Sequence, residues 1–289
     1  LGQFVASEII ILLVITSAEK LILSMETVYD VLTGLDKLGQ VTDIPLESDE
    51  GLNQEDISEH SDMILEVSNL TYAYPQTSKP VISELNLQVR RGQKVCITGI
   101  NESGKSTLLS LICALYEGQQ GSLLYNGIPY TNMSLKDFRS HIGDNLSQQN
   151  LFSGTLSENI SVGREGIEVQ DILKALENVG LNEYFKGLPD GLHSEIQPEG
   201  QGLSKSLIQK ILLARTIVGD PKLIVIDDAL LGIYFEDRQM LADMLTGPEH
   251  SWTLIAVTSD PLLLSGSDRI ITLEDGKIVD DRENLKVKS

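Results

Sequence analysis

The N-terminal part of the chain carries a run of apolar residues that passes into a spaced apolar pattern. All residues from Ile9 to Ile15 are apolar, and further apolar residues recur every three or four positions from Leu21 to Leu35. That spacing predicts an amphipathic helix. A membrane-spanning helix needs about 20 apolar residues, and a signal peptide needs a basic start and a cleavage site. We therefore expect residues 1–42 to be the end of a transmembrane helix and its cytoplasmic extension, in a sequence that begins inside that helix. A buried soluble helix is the alternative.

A change of composition divides the rest of the chain. Residues 43–62 contain many acids and no Lys or Arg, which predicts a solvated linker. From Met63 onward, apolar and polar residues alternate as in half-buried strands. Asn-Gly at 126–127 and Asp-Gly at 275–276 predict hairpin turns. Short apolar runs, typical of parallel strands buried on both faces, occur at 95–98, 223–226 and 254–257. The pattern predicts an α/β domain over residues 63–289.

Charge and cysteine content narrow the classes of function. The chain has 289 residues and a formal net charge of -20. Nucleic-acid backbones attract basic surfaces, so this charge argues against a nucleic-acid partner. Cys96 and Cys113 both lie in apolar segments, which is typical of buried thiols in a reducing compartment without a disulfide framework.

A phosphate-binding loop is the strongest chemical signal. Residues 99–106 read GINESGKS and fit the pattern G-x-x-x-x-G-K-[ST], after a predicted strand and before a predicted helix from Thr107 to Leu115. Glycines let backbone N–H groups curl around phosphate oxygens, and the N-terminus of the helix favours negative charge. Lys105 is expected to reach the β- and γ-phosphates, and Ser106 to ligate Mg²⁺. Glu102 is an acid close to the expected phosphates, so it must point outward or it weakens binding. We expect ATP and Mg²⁺ to be bound by Gly99, Asn101, Ser103, Gly104, Lys105, Ser106 and Thr107.

With the motifs that accompany this loop, residues 63–289 resemble the nucleotide-binding domain of ABC exporters, of the type fused to its own membrane domain. The resemblance implies an α/β fold of the ABC type of P-loop NTPase. That fold has a mixed-sheet core, an antiparallel β subdomain and a helical subdomain, here preceded by the end of a transmembrane helix. The motifs that carry the resemblance, besides the loop, lie at 72–75, 147–155, 198–200, 203–215 and 223–227.

The resemblance implies roles for further residues. Tyr74 looks like the aromatic residue that stacks on adenine. Gln148, with Gln149 as a rival, resembles the Q-loop glutamine that contacts Mg²⁺ and faces the membrane domain. Ser204 lies in a segment that resembles the signature motif, which in this family caps ATP bound by the opposite subunit. Asp227 ends the Walker B pattern and is expected to hold the Mg²⁺ shell.

Four departures from the family pattern fall on hydrolysis. The signature, normally LSGGQ, reads LSKSL here, and Lys205 places a side chain where glycine would allow close approach, although it also supplies a compensating charge. Asp228 stands where the family has its catalytic glutamate, and misplacing a water by about 1 Å costs about 10²-fold in rate. Ser259 stands at the switch histidine and Tyr234 at the D-loop aspartate. Asp228, Ser259 and Gln148 remain the candidates for the catalytic positions.

Two functional hypotheses follow. The first is the ATP-binding domain of an exporter in the cell (inner) membrane, with this domain on the cytoplasmic face. Its implied partners are a second ABC subunit in a homo- or heterodimer, its own transmembrane domain, the lipid bilayer and an unidentified substrate. The second hypothesis is a regulatory subunit that binds ATP without turnover, which the four departures favour. A soluble ABC protein of the DNA-repair or translation kind is disfavoured by the apolar N-terminus, the Q-loop and the acidic surface.

Overall fold

The computed structural model describes residues 2–44, 51–52, 63–75, 77, 79–146 and 150–284. They belong to two units, residues 1–48 and 49–289. Gln148 and Gln149, the candidates for the Q-loop glutamine, lie outside the described residues, as does most of the predicted linker.

The first unit consists of one helix, α1 (Gly2–Thr42), of 41 residues. The apolar run and the spaced apolar residues that follow it therefore lie on one continuous helix. Hydroxyl groups along it donate to carbonyl oxygens four residues earlier, as Ser17 does to Leu13 at 2.7 Å. None of its side chains is buried. Among the residues described, no helix has both the length and the apolar character needed to cross a membrane.

The second unit alternates strands and helices. Its strands are β1 (Met63–Tyr72), β2 (Ile82–Arg90), β3 (Lys94–Thr98), β4 (Gln120–Tyr125), β5 (Ile128–Pro129), β6 (Ile142–Asn145), β7 (Gly154–Thr155), β8 (Glu195–Ile196), β9 (Leu223–Asp227), β10 (Thr253–Val257), β11 (Arg269–Glu274) and β12 (Lys277–Glu283). Its helices are α2 (Lys105–Ile112), α3 (Leu135–Ser140), α4 (Leu156–Ser161), α5 (Val169–Asn178), α6 (Asn182–Lys186), α7 (Lys205–Ile217), α8 (Phe235–Thr246) and α9 (Pro261–Gly266).

Two larger sheets organise these elements. A six-stranded sheet has the order β12-β11-β3-β10-β9-β6, and its pairs are parallel except for β11 with β12. A four-stranded antiparallel sheet has the order β2-β1-β4-β5. Helices α4 to α7 form a helical region between β6 and β9 in the chain. The mixed core, the antiparallel sheet and the helical region confirm the expected fold class.

The central strands are buried on both faces, which explains their short apolar sequences. In β3, Val95 and Ile97 belong to the hydrophobic cluster that includes α2 and the antiparallel sheet, whereas Cys96 between them belongs to the cluster that includes α7, α8 and α9. Residues 223–226 of β9 and 254–257 of β10 divide between the same two clusters. The two hydrophobic clusters, one on each face of the sheet, therefore hold the C-terminal end of β3, where the phosphate loop begins.

Local predictions succeeded at turns and failed at helix ends. The Asn-Gly and Asp-Gly turns join β4 to β5 and β11 to β12, as expected. The helix predicted from Thr107 to Leu115 instead begins at Lys105 and ends at Ile112. Its early end follows from Ala114, whose φ of 50° leaves the helical region.

Leu52, predicted to lie in a solvated linker, pairs with Met133, and its N–H donates to the Asn132 carbonyl at 2.9 Å.

Candidate nucleotide site

The predicted phosphate loop connects β3 to α2. Its base, formed by Gly99, Ser103 and Gly104, packs against neighbouring segments, and its crown, formed by Asn101 and Glu102, is exposed. A Cβ at Gly99 would overlap the Leu273 carbonyl oxygen, and one at Gly104 would lie 2.9 Å from Val81 O, so both positions require glycine. Ser103 is buried, and its carbonyl accepts from Gly276 N–H at 3.1 Å. Asn101, at the crown, is exposed. Strands β2, β11 and β12 thus hold the base of the loop at the edge of the sheet.

The backbone of this loop has the form of an anion-binding nest. Glu102 has φ of 64° and Gly104 has φ of 95°, on either side of Ser103. Alternation of conformations of this kind turns successive N–H groups toward one concavity. The N-terminus of α2 adds its partial positive charge at the same place.

Lys105 and Ser106 bring an ammonium group and a hydroxyl group to this nest. Lys105 Nζ donates to Gly99 O at 2.9 Å and to Ile100 O at 2.6 Å. The Ser106 hydroxyl donates to Asp227 Oδ2 at 2.7 Å, across 121 positions in the chain. A hydroxyl and a carboxylate in contact fit Mg²⁺, because this ion prefers hard oxygen ligands and few of them from protein.

Tyr74 lies beside the first turn of α2. Its hydroxyl and that of Thr107 are 2.9 Å apart, which places the tyrosine next to the phosphate loop. Its ring meets Tyr72 and Tyr116 edge-on, with centroids 5.4 Å and 5.7 Å away. Tyr72 and Tyr116 in turn stack on each other at 5.6 Å. Sequence reasoning selected Tyr74 but missed Tyr116, for which an aromatic residue just after the predicted helix was the only signal.

Asp228 and Ser259 meet next to Asp227. The backbone N–H of Asp228 donates to Val257 O at 2.9 Å, so the loops after β9 and β10 are joined here. Burial and the neighbouring charge of Asp227 raise the pKa of Asp228, while the charge of Lys105 and the backbone N–H of Ser259 oppose this rise. Asp228 therefore lies beside the segment that carries the residue at the position of the switch histidine.

The segment that resembles the signature begins α7. Ser204 caps this helix, and its hydroxyl accepts from Leu207 N–H at 3.2 Å. Lys205 is exposed. A Cβ placed on Gly232 would lie 3.9 Å from the Cβ of Lys205. Tyr234 is 69% exposed. Among the described residues, no hydrogen bond joins Ser204 to the phosphate loop. Tyr74 and Asp227, in contrast, are hydrogen-bonded to Thr107 and Ser106.

The segment after Gln148 is held by a residue that sequence reasoning passed over. Arg215, at the end of α7, donates to Asn150 O at 3.2 Å and to Asn159 O at 2.7 Å. Asn159 in turn donates to Phe152 O at 2.9 Å. The signal in the sequence was a charged residue at the end of an otherwise apolar helix face.

Comparisons with known proteins agree with this geometry. The family model described as ABC transporter matches residues 82–231, just over half of the chain. An ATP-dependent lipid A-core flippase of Chromobacterium violaceum is 29% identical over 211 residues, covering 73% of this chain and 36% of the flippase. The probable multidrug resistance ABC transporter ATP-binding/permease protein YheH of Bacillus subtilis is 30% identical over 216 residues, covering 75% of this chain and 32% of YheH.

A solved structure supports the fold. The structure of a bacterial Atm1-family ABC exporter with ATP bound superimposes with a TM-score of 0.77 and 21% identity, covering 90% of this chain and 45% of the exporter chain. The chain spans about a third of the length of these two curated relatives. The match to the family model, together with the phosphate loop and its Asp227 partner, shows that the chain belongs to the ABC transporter family.

Proposed function

We propose that this chain binds Mg-ATP and is the ATP-binding part of an exporter, in which nucleotide binding is coupled to transport across a membrane. The observation that carries the proposal is the contact of Ser106 with Asp227 beside the Lys105 nest. This arrangement offers backbone N–H groups and a cation to the phosphates, and two adjacent oxygen ligands to Mg²⁺. Tyr74 is proposed as the adenine platform, and Gln148 as the further Mg²⁺ ligand.

The partners are proposed on the same basis. Ser204 and Lys205 lie at the N-terminus of α7, apart from the chain's own phosphate loop, which suits a signature that acts on nucleotide held by a second ABC subunit. That subunit is either a copy of this chain or a different one. Helix α1 is proposed as the end and cytoplasmic extension of the last transmembrane helix, joined through residues 43–62 to this domain. The domain then lies on the cytoplasmic face of the membrane.

A second candidate function is a regulatory subunit that binds ATP without turning it over. The observation in its favour is Asp228, whose backbone is fixed by a φ of 49° and by the hydrogen bond from its N–H to Val257 O, and whose side chain is one methylene shorter than glutamate. A carboxylate held back in this way aligns an attacking water less well. Ser259 also replaces an imidazole by a hydroxyl of shorter reach.

Binding is tested by titration calorimetry with Mg-ATP. We expect Lys105→Ala to weaken binding at least about 100-fold, because it removes the cation that faces the phosphates. Lys174→Ala is the matched control, since Lys174 pairs with Asp220 on an exposed surface, and we expect its affinity to equal that of the unchanged chain. Equal affinity of Lys105→Ala and the unchanged chain would refute the proposed site.

Turnover separates the two candidate functions. Steady-state hydrolysis of Mg-ATP is measured with the intact protein in lipid, and Lys105→Ala sets the baseline. Hydrolysis above that baseline supports a transport ATPase, and the double variant Asp228→Glu with Ser259→His is then expected to be faster. Hydrolysis at baseline despite ATP binding supports the regulatory subunit. If the double variant also stays at baseline, the altered signature at Lys205 or the D-loop at Tyr234 limits the rate.

A further inference from the structure

Glu102 is a charged residue at a backbone position that favours glycine. Its φ of 64° lies in the left-handed region, and the residue is exposed at the crown of the phosphate loop. Among the residues described, no hydrogen bond or ion pair engages its carboxylate. Neither packing nor pairing within the described chain therefore accounts for a glutamate here.

The flanking residues impose this conformation on Glu102. On one side Gly99 lies against the Leu273 carbonyl, and on the other Ser103 is buried and bonded to Gly276 N–H at 3.1 Å. Gly104 then packs against Val81 and Ile82. A non-glycine residue persists in the left-handed region where its surroundings over-determine the backbone, and such positions cluster at functional sites.

The charge of Glu102 acts on whatever the nest holds. The left-handed backbone of Glu102 is itself part of the nest, so its charge belongs to the loop that would cradle the phosphate. Charges that are closer together than the Debye length, about 8 Å at physiological salt, are only partly screened. Lys105 and the N-terminus of α2 attract phosphate, whereas Asp227, Asp228 and Glu102 repel it unless a cation intervenes. Asp227 has Ser106 as its partner in Mg²⁺ binding, but Glu102 has no such ligand beside it.

We propose that Glu102 makes the phosphate loop select the Mg²⁺-complexed nucleotide over the free nucleotide. The proposal rests on the proposed function of this loop as the ATP site. Coulomb repulsion grows with the charge of the ligand, and free ATP carries about four negative charges against about two for Mg-ATP. The carboxylate therefore weakens the binding of free ATP more than that of Mg-ATP. Glu102 is a specificity-determining residue in this account and takes no part in the chemistry.

The test compares affinities for Mg-ATP and for ATP in EDTA, by calorimetry at constant ionic strength. Glu102→Gln removes the charge and keeps the backbone strain. We expect it to strengthen the binding of free ATP about tenfold and of Mg-ATP about threefold, so that selectivity falls about threefold. Glu102→Gly is expected to lose the same selectivity and also to raise Tm by about 2 °C, because glycine relieves the left-handed strain.

Glu199 provides a matched control. It is also an exposed glutamate with a left-handed backbone, at φ of 56°, but its N–H donates to Leu151 O, outside the phosphate loop. We expect Glu199→Gln to leave both affinities unchanged, and Glu199→Gly to raise Tm alone.

Three results would overturn the inference. The first is a ratio of the two affinities in Glu102→Gln that equals the ratio in the unsubstituted chain, with Mg-ATP bound by both. This result would leave the proposed function standing. The second is an equal change in Glu199→Gln, since the effect would then be one of net charge alone. The third is a lack of nucleotide binding in the unchanged chain and in both Glu102 variants, which removes the proposed function as well.

Discussion

Arg215 joins the end of α7 to the segment that follows the predicted Q-loop glutamine. The residue is 8% exposed. Its guanidinium donates to Asn159 O at 2.7 Å, to Asn150 O at 3.2 Å and to Asn159 Oδ1 at 3.2 Å. It also lies 5.7 Å from the centroid of the Phe152 ring. We expect this one side chain to set the position of residues 150–152 relative to α7.

Arg215→Met removes the hydrogen bonds and keeps an unbranched apolar stem. A hydrogen bond from a charged donor contributes about 1.5 kcal/mol net. Two of the three acceptors belong to Asn159, whose side chain has further partners, so the losses are less than additive. We therefore expect a loss of about 3 kcal/mol in the free energy of unfolding. For a domain of this size, that corresponds to a fall in Tm of about 8 °C.

Thermal unfolding followed by circular dichroism checks this magnitude. Lys174→Met is the matched control, because it removes the ion pair of Lys174 with Asp220, whose side chains are 57% and 69% exposed. Exposed ion pairs contribute about 0–1 kcal/mol, so we expect a shift of less than about 3 °C. A shift for Arg215→Met no larger than that of the control would refute the assigned role of Arg215.

The same variant has an expected pH dependence. Burial raises the pKa of Asp144, and the charges of Arg164, Arg215 and Arg139 oppose that rise. A carboxyl whose folded pKa lies above its unfolded value contributes stability that is complete below the unfolded pKa and is lost as pH rises through the folded pKa. Removing Arg215 raises the pKa of Asp144 further. The destabilisation by Arg215→Met is therefore expected to be larger at pH 7.5 than at pH 5, and an equal loss at both would exclude this contribution.

Two further predictions concern close packing and thiol chemistry. Gly143→Ala is expected to lower Tm by more than about 8 °C, because a Cβ at this position would overlap the Thr216 carbonyl. Gly187→Ala is the control and is expected to change Tm little, because its Cβ would lie 3.4 Å from the nearest neighbouring atom. Thermal melts of the two variants test this difference. Burial raises the pKa of Cys96 to about 11 and also raises the pKa of Cys113. We therefore expect neither thiol to react rapidly with a chromogenic disulfide at pH 8 until denaturant is added. Rapid reaction in the native protein would contradict their burial.

The sequence could predict those parts of the site that depend on local conformation. The phosphate loop is recognisable because the positive φ of Gly99 and Gly104 is a feature of the local backbone that favours glycine. The strands β3, β9 and β10 are recognisable because burial on both faces requires apolar runs. These two facts together place Asp227 near Ser106, since Asp227 ends one parallel strand and Ser106 follows the loop after another strand of the same sheet.

Contacts between distant segments account for what the sequence could not predict. The end of α2 at Ile112 depends on Ala114 in a left-handed conformation, which alanine does not favour by itself. The base of the phosphate loop depends on Gly276, more than 170 positions later in the chain. The hydrogen bond from the Asp228 N–H to Val257 O depends on two segments that only the folded sheet brings together. Residue types identify these positions as candidates, but their partners become visible only in the fold.

The contacts around the loop also explain why single charges are expected to dominate nucleotide binding. Lys105 Nζ donates to Gly99 O, the Ser106 hydroxyl donates to Asp227, and the Thr107 hydroxyl meets that of Tyr74. In the proposed site, a nucleotide would exchange these hydrogen bonds for bonds to phosphate or to Mg²⁺. Such an exchange conserves the number of hydrogen bonds. The net gain in binding free energy per bond is then the difference between a hydrogen bond to a charged group and one to a neutral group, about 1 kcal/mol. Affinity is then set chiefly by the balance of charge around the nest, so the carboxylate of Glu102 is expected to act in the opposite direction to the ammonium group of Lys105 and by a smaller factor.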